Sequence, residues 1–448
     1  MKVSWLIGIC CMLHMQSFAG FQMKDNNRLV IPFQLVNNII ILPVQLNGVS
    51  LSFILDSGVG HTLLFSTDDQ SVNFNQVRKM RFNGLGGSND VESLASANNH
   101  LSIGDYYTDT SHTIYIVLNE DFNFSAHLGV SVNGIIGYDF FKNYPVEIDY
   151  VARKIYVYRD IHAVRNLDNR FDSLPFTLEN NKPYTEAEIY VNNTYVPVKM
   201  LIDIGNADAV WIFPGVVPGF HFQSPEIDDY LGRGFNGDIR GSRGRIHSIK
   251  IGNNILYKPI AAMPDLRSIA YIATVNDRAG SLGAEILSRF HIIMDYPGKT
   301  FYYRKNRYFN YPFRFNMSGI EVRHDGMKWS ESLVKMQVET PYNSNELNGD
   351  IGTTVYNAPS RFQYQLQLKP SYSIAGIRKG SPADLAGLQE GDVLIALNGI
   401  QVNRLSLENI YQVLSSKEDR LIKIVVERDG QQLHTTIQLK DPLPYTEN

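Results

Sequence analysis

The chain has 448 residues, 44% of them hydrophobic and 19% charged, with a formal net charge of −4. On a prior of roughly 150 residues per domain this predicts about three domains, each able to bury a core. The small net charge gives no reason to expect nucleic acid or an anionic membrane as a partner. Tyr and Phe together number 48, which favours strands over helices.

Residues 1–20 read as a signal peptide. Lys2 precedes an apolar run over residues 3–13, and Ser17-Phe18-Ala19 forms a small-x-small cleavage site. Export to the periplasm, the cell surface or the extracellular space is therefore expected. The two cysteines, Cys10 and Cys11, both fall inside this segment, and Ile9 in front of them does not suit a lipoprotein signal. The chain after the signal can form no disulfide, thiolate nucleophile or cysteine metal site. No later stretch approaches ~18 uninterrupted apolar residues, so no membrane span is expected after signal removal.

Residues 21–165 read as short strands between Asn and Gly turns. Residues 43–55 alternate through Asn47-Gly48, a hairpin signal, and end on Leu51-Ser52-Phe53-Ile54-Leu55-Asp56. Downstream come Gly134-Ile135-Ile136-Gly137 and a closing hairpin over residues 146–158. Residues 166–310 repeat the plan. The turn Asn192-Asn193 leads into Val198-Lys199-Met200-Leu201-Ile202-Asp203, then Gly280-Ser281-Leu282-Gly283, then a closing hairpin over residues 292–303. The polar stretch 159–171 suits the boundary between the halves. Residues 311–361 carry no motif and read as a connecting segment, with a polar loop at 343–348.

Residues 362–448 form a further unit. Ser381-Pro382 has the pattern of a helix start, with Ser381 as N-cap and proline in the first turn. Gly387 is placed to end that helix. Gly391-Asp392 turns into a strand over residues 393–397, and Asn398-Gly399 is the next tight turn.

The decisive pattern is a duplication. Asp56-Ser57-Gly58 and Asp203-Ile204-Gly205 both follow an apolar strand, and their aspartates are 147 positions apart. Gly137 and Gly283 are 146 apart. Two motifs in one order at nearly one offset point to a duplicated domain. An aspartate from each half can then meet its counterpart across a pseudo-two-fold axis. Two close carboxylates cannot both ionise easily, so they share one proton. One is then free to take a proton from water while the other gives one to the substrate. Read alone, each aspartate would be an ordinary strand-ending turn residue.

The two halves, over roughly residues 30–304, resemble retropepsin-type and pepsin-type aspartic proteases. Asp56-Ser57-Gly58 with Ile136 and Gly137 fits both the active-site loop and the apolar-apolar-glycine motif that supports it. Asp203-Ile204-Gly205 with Leu282 and Gly283 fits with two departures, Ile204 and Ser281. The resemblance implies Asp56 and Asp203 as the catalytic dyad, with Ser57, Gly58, Ile204 and Gly205 shaping the loops. It also implies that Ser57 can hydrogen-bond across the loops whereas Ile204 cannot, with Asn206 as a candidate substitute donor or acceptor. Residues 371–440 resemble a PDZ domain of the bacterial protease-associated kind, carried by Gly380-Ser381-Pro382-Ala383, Gly391-Asp392-Val393-Leu394 and Asn398-Gly399. That resemblance implies capture of a peptide strand or C-terminus, with a carboxylate loop near residues 361–368.

The fold class implied is mainly β: two duplicated six-stranded-type lobes with a C-terminal α+β PDZ domain. The expected partners are protein or peptide substrates. Glycine-rich stretches at Gly84-Leu85-Gly86-Gly87-Ser88 and Gly232-Arg233-Gly234-Phe235-Asn236-Gly237 are candidate lids. The histidines show no metal-ligand spacing and no phosphate-binding loop is present, so neither metal nor cofactor is expected. A serine-protease reading of Ser57 fails at Leu55, where that motif needs glycine, and gives no reason for a second aspartate. The alternative reading is an inactive protease-fold scaffold that binds peptides.

Overall fold

The computed structural model of the protein describes residues 20–24, 27–68, 70–82, 91–118, 124–222, 225–234, 237–269, 275–335 and 362–445. Residues 1–19 of the signal segment, the first candidate lid, residues 235–236 of the second, and the polar loop at 343–348 lie outside these.

The described chain divides into two compact units. One is built from residues up to Phe124, Ser131–Phe315 and the end of the chain from Pro442. The other comprises Ser125–Val130 and Asn316–Asp441.

The first unit contains the two halves. Among the described residues, one half forms a nine-stranded sheet and the other a ten-stranded sheet, and a six-stranded sheet joins them. The predicted hairpins are present. Ile39–Leu46 pairs with Val49–Leu55 through Asn47 and Gly48, both at positive φ. Lys182–Val191 pairs with Thr194–Asp203 through Asn192 and Asn193, also at positive φ. Asparagine tolerates this backbone because its short polar side chain bonds locally.

The joining sheet is where the halves meet. The two closing hairpins, Val146–Asp149 with Lys154–Tyr158 and Phe290–Asp295 with Thr300–Lys305, pair with each other. Val146, Glu147 and Ile148 lie opposite Met294, Ile293 and Ile292. Their inward faces are fully apolar: Val146, Ile148, Ile292 and Met294 have no measurable exposure and belong to one core with both larger sheets. Each half therefore hands the other a sheet edge, which holds the lobes in fixed relation.

The second unit has a core of its own, including Ile374, Leu394, Ile410, Ile422 and Val426. It begins at Asn316, earlier than the boundary expected at residue 362. The reason is a long hairpin in which Ile320–Lys335 pairs with Phe362–Ile377. The stretch expected to be a motif-free connector thus supplies a strand to this unit. The chain's end also differs from expectation. Leu443 is buried in the core of the first unit, and its carbonyl accepts from Arg245 Nε at 2.6 Å.

Candidate active site

Asp56 closes the strand Val49–Leu55, and Asp203 is the last residue of Thr194–Asp203. Both strands are central because a third strand runs parallel beside each. Ile136 pairs with Leu55, and Gly283 pairs with Asp203. The loops after the aspartates fold alike. Asp56 N–H donates to Ile136 O at 2.9 Å, and Tyr138 N–H donates to Val59 O at 3.0 Å. In the other half Ala284 N–H donates to Asn206 O at 2.7 Å. Ile136 and Leu282 are fully buried beneath the loops. Gly137 and Gly283 are required there: a Cβ would overlap Val59 O at the first and Asp208 O at the second.

The loop glycines permit the approach of the halves. A Cβ on Gly58 would lie 2.8 Å from Asp203 Oδ1 and 3.0 Å from Asp56 Oδ1. One on Gly205 would overlap the Asp56 carboxyl. Each glycine thus faces the carboxyl of the opposite lobe, and the structure brings the Asp56 and Asp203 carboxyls together beside Gly58.

The clasp between the loops is one-sided. Ser57, fully buried, donates to Ile202 O at 2.7 Å and accepts from Ile204 N–H at 3.1 Å. Ile204 makes no reciprocal bond and packs into the core instead. Asn206 does not substitute across the loops, because its Oδ1 accepts from Asp208 N–H within its own turn. Apolar burial has replaced the second half of the clasp. Ser57→Ala should therefore strand the Ile204 N–H and lower stability by about 1–3 kcal/mol, measurable by chemical denaturation. The sealed hydroxyl also disposes of Ser57 as a nucleophile.

Burial is the main force on the dyad's protonation. It pushes the Asp56 carboxyl up, with the Asp203 charge adding to the rise, to about 8; the Gly58 N–H, bonding Asp56 Oδ1 at 2.7 Å, opposes it. Asp203 is also raised by burial, against the pull of Arg278 and then Lys182. Neither cation was singled out from the sequence. Lys182 opens the strand Lys182–Val191, and Arg278 opens Arg278–Gly283. Lys182 is itself held below the usual lysine range by burial and by Arg278. Among the described residues, no cluster of three or more His, Cys, Asp or Glu could hold a metal ion.

Residues 42–140, which include Asp56, match the family model described as aspartyl protease. Residues 373–428 match one described as PDZ domain. The chain carries an aspartyl-protease fold and a PDZ domain. A crystal structure of aspartic proteinase from Irpex lacteus is similar at 10% identity, with a TM-score of 0.42, over 63% of this chain and 99% of that one. No curated protein matches the chain.

In the first unit each candidate lid falls between two paired antiparallel strands. The first falls between Val77–Phe82 and Val91–Ile103, outside the described residues. The second joins Ile227–Gly234 to Gly237–Arg245. Its base is anchored, because Arg243 bonds Asp208 in the loop after Asp203 and Asp229 across the hairpin, each at 2.6 Å.

The PDZ signature folds as predicted. Ser381 Oγ accepts from Asp384 N–H, Pro382–Leu385 is helical, and Gly387 has φ +74°. Asp392 is held below the usual carboxylate range by hydrogen bonds from Arg428, which offset its burial. Residues 362–368, expected to hold the carboxylate loop, are instead a strand paired with Ile320–Lys335. The turn with glycine at positive φ lies before that partner strand, at Gly319, and its donors are already used. Ser318 and Gly319 N–H donate to Asn316 Oδ1, and Ile320 N–H donates to Ser318 Oγ. Beside them, Val322 N–H donates to the Tyr411 hydroxyl, which donates to Val322 O, at 3.0 and 3.2 Å. Among the described residues no helix is long and apolar enough to cross a membrane.

Proposed function

We propose that this protein is an aspartic endopeptidase in which Asp56 and Asp203 activate a water molecule between them. The observation that carries the reading is the meeting of two carboxyls from separate lobes, each faced by the glycine of the other's loop. The pair holds one proton. The ionised member accepts a proton from water, and the protonated member donates to the substrate carbonyl and then helps the amine leave. The apolar leader in residues 1–20 supports export, where unfolded or exposed proteins would be the substrates.

The test is cleavage of an unstructured protein that persists in the presence of chelators. Binding without cleavage, unchanged by substitution of either aspartate, would mark a peptide-binding scaffold instead.

The pH dependence follows from Asp56. Its folded value is raised to about 8, so the shared proton is retained through neutral pH. We expect kcat/KM to fall as pH rises through about 8, when that proton is lost. The same ionisation weakens the fold. A carboxyl with a raised folded value contributes stability that is present below its unfolded value and lost as pH rises through the folded one. A profile with no alkaline limb in this region would contradict the assignment.

The PDZ domain is proposed to recognise peptide segments of substrates by strand addition. Tyr411 now occupies the backbone groups of Val322 that an added strand would use. Tyr411→Ala should therefore tighten binding of a library of extended peptides, read by fluorescence anisotropy on the intact protein. Unchanged or weaker binding would place the peptide elsewhere.

A further inference from the structure

The two aspartates differ in their surroundings. Arg278 Nη2 donates to Ser281 Oγ at 2.8 Å, and its Nε donates to Gly280 O at 3.2 Å. The guanidinium also lies 4.8 Å from the ring centroid of Phe213, which with the two bonds fixes its position. Ser281 is almost fully buried. Its strand runs parallel to that of Asp203, with Ser281 opposite Leu201 and Gly283 opposite Asp203. Residues two apart in a strand share a face, so Ser281 and Asp203 lie on the same face of the sheet, one step apart. The Ser281 oxygen is taken by Arg278. Its own proton is then available to another acceptor, and Asp203 is within its hydrogen-bond reach.

In the first half the matching position is Ile135, which offers no hydroxyl. Among the described residues, Lys182, Tyr184 and Tyr296 also interact with the pair, Tyr184 with Asp203 and Tyr296 with Asp56. Lys182 acts on both aspartates, whereas Arg278 and Ser281 act on Asp203. The Gly58 N–H bonds Asp56 at 2.7 Å and favours its charge, but burial and the Asp203 charge outweigh it; Arg278 and Ser281 are the side chains that favour charge on Asp203.

We propose that Arg278, bonded to Ser281, fixes the polarity of the dyad, so that Asp203 is the general base and Asp56 carries the shared proton. This rests on the endopeptidase reading. In the first step the water oxygen bonds to the scissile carbon, one water proton passes to Asp203, and the Asp56 proton passes to the carbonyl oxygen. In the second, Asp203 returns its proton to the leaving nitrogen, a hydroxyl of the tetrahedral carbon returns one to Asp56, and the C–N bond breaks. Arg278 and Ser281 are positioning residues in this scheme and touch no reacting atom.

Two measurements test it on the intact protein. The first is the pH profile of kcat/KM on an unstructured protein for wild type, Arg278→Gln, Arg278→Lys and Ser281→Ala, with melting curves to confirm folding. A neighbouring cation holds a carboxylate down by about one pH unit or more, so the acid limb should rise by that amount in Arg278→Gln. Arg278→Lys should restore it in part, and Ser281→Ala should raise it less. The alkaline limb should move less in every variant. An acid limb that stays in place while kcat falls overturns the inference.

The second measurement needs no turnover. In Asp56→Asn protein labelled with carbon-13 at the aspartate carboxyls, the Asp203 signal is assigned by its loss in the double variant with Asp203→Asn. Adding Arg278→Gln should raise its titration midpoint. An unchanged midpoint overturns the inference even in an active enzyme. A raised midpoint in a protein that cleaves nothing upholds the polarity and removes the endopeptidase reading.

Discussion

Asp56→Asn and Asp203→Asn should each lower kcat/KM on an unfolded protein by about 10²–10⁴-fold, the range that general acid–base catalysis supplies. Either substitution removes half of a pair that works through one proton. An amide in place of Asp203 cannot take a proton from water, and one in place of Asp56 cannot protonate the carbonyl oxygen. The double variant should therefore be little worse than either single one, since groups that act as a unit are not additive. The fold should survive. Asn has nearly the shape of Asp, and at Asp56 the neutral form is the one the buried site already favours. Above a pH of about 8 the melting temperature of Asp56→Asn should equal or exceed that of wild type, because the amide cannot ionise. Wild-type turnover in either single variant would end the two-aspartate reading. A collapse of the melting temperature would show that the substitution had destroyed the fold rather than the chemistry.

The duplication made much of this site legible in the sequence. Asp56 and Asp203 are far apart in the chain, yet the repeated strand, turn and supporting glycine placed them at related positions, and the joining sheet carries out that relation in space. The one-sided clasp was also readable, because Ser57 has a hydroxyl and Ile204 has none. Lys182 and Arg278 were not. Neither belongs to the repeat, and each approaches the dyad only because a neighbouring strand begins there. The one clue to them is Ser281, a polar residue where the first half has Ile135. A buried hydroxyl at an otherwise apolar position calls for a partner, and Arg278 lies only three residues before it. The pairing of Ile320–Lys335 with Phe362–Ile377 was missed because residues 336–361 separate the two strands, far more than the short turn by which a hairpin is recognised. Likewise Asn316 and Tyr411 satisfy backbone groups that only the folded sheet brings beside them.

Gly205→Ala separates geometry from folding more sharply than the aspartate variants do. The added Cβ would overlap the Asp56 carboxyl, and its nearest neighbours at that point are side-chain atoms alone. A carboxyl can rotate away at modest cost, so the protein should fold with a melting temperature near that of wild type. The dyad, however, would be splayed by the displacement. A misplacement of about 1 Å can cost on the order of 10²-fold in rate, and activity should fall by at least that much. Gly137→Ala makes the contrast. There the methyl would meet the Val59 carbonyl, which is backbone and already accepts from Tyr138 N–H. It has no rotamer in which to retreat, so the loop must shift as a whole. Overpacking of this kind costs about 1–3 kcal/mol or more, and the loss should appear in denaturant unfolding as well as in activity. If Gly205→Ala kept full activity, the two loops could not be as close as the carboxyl contact requires, and the shared proton would have no path between them.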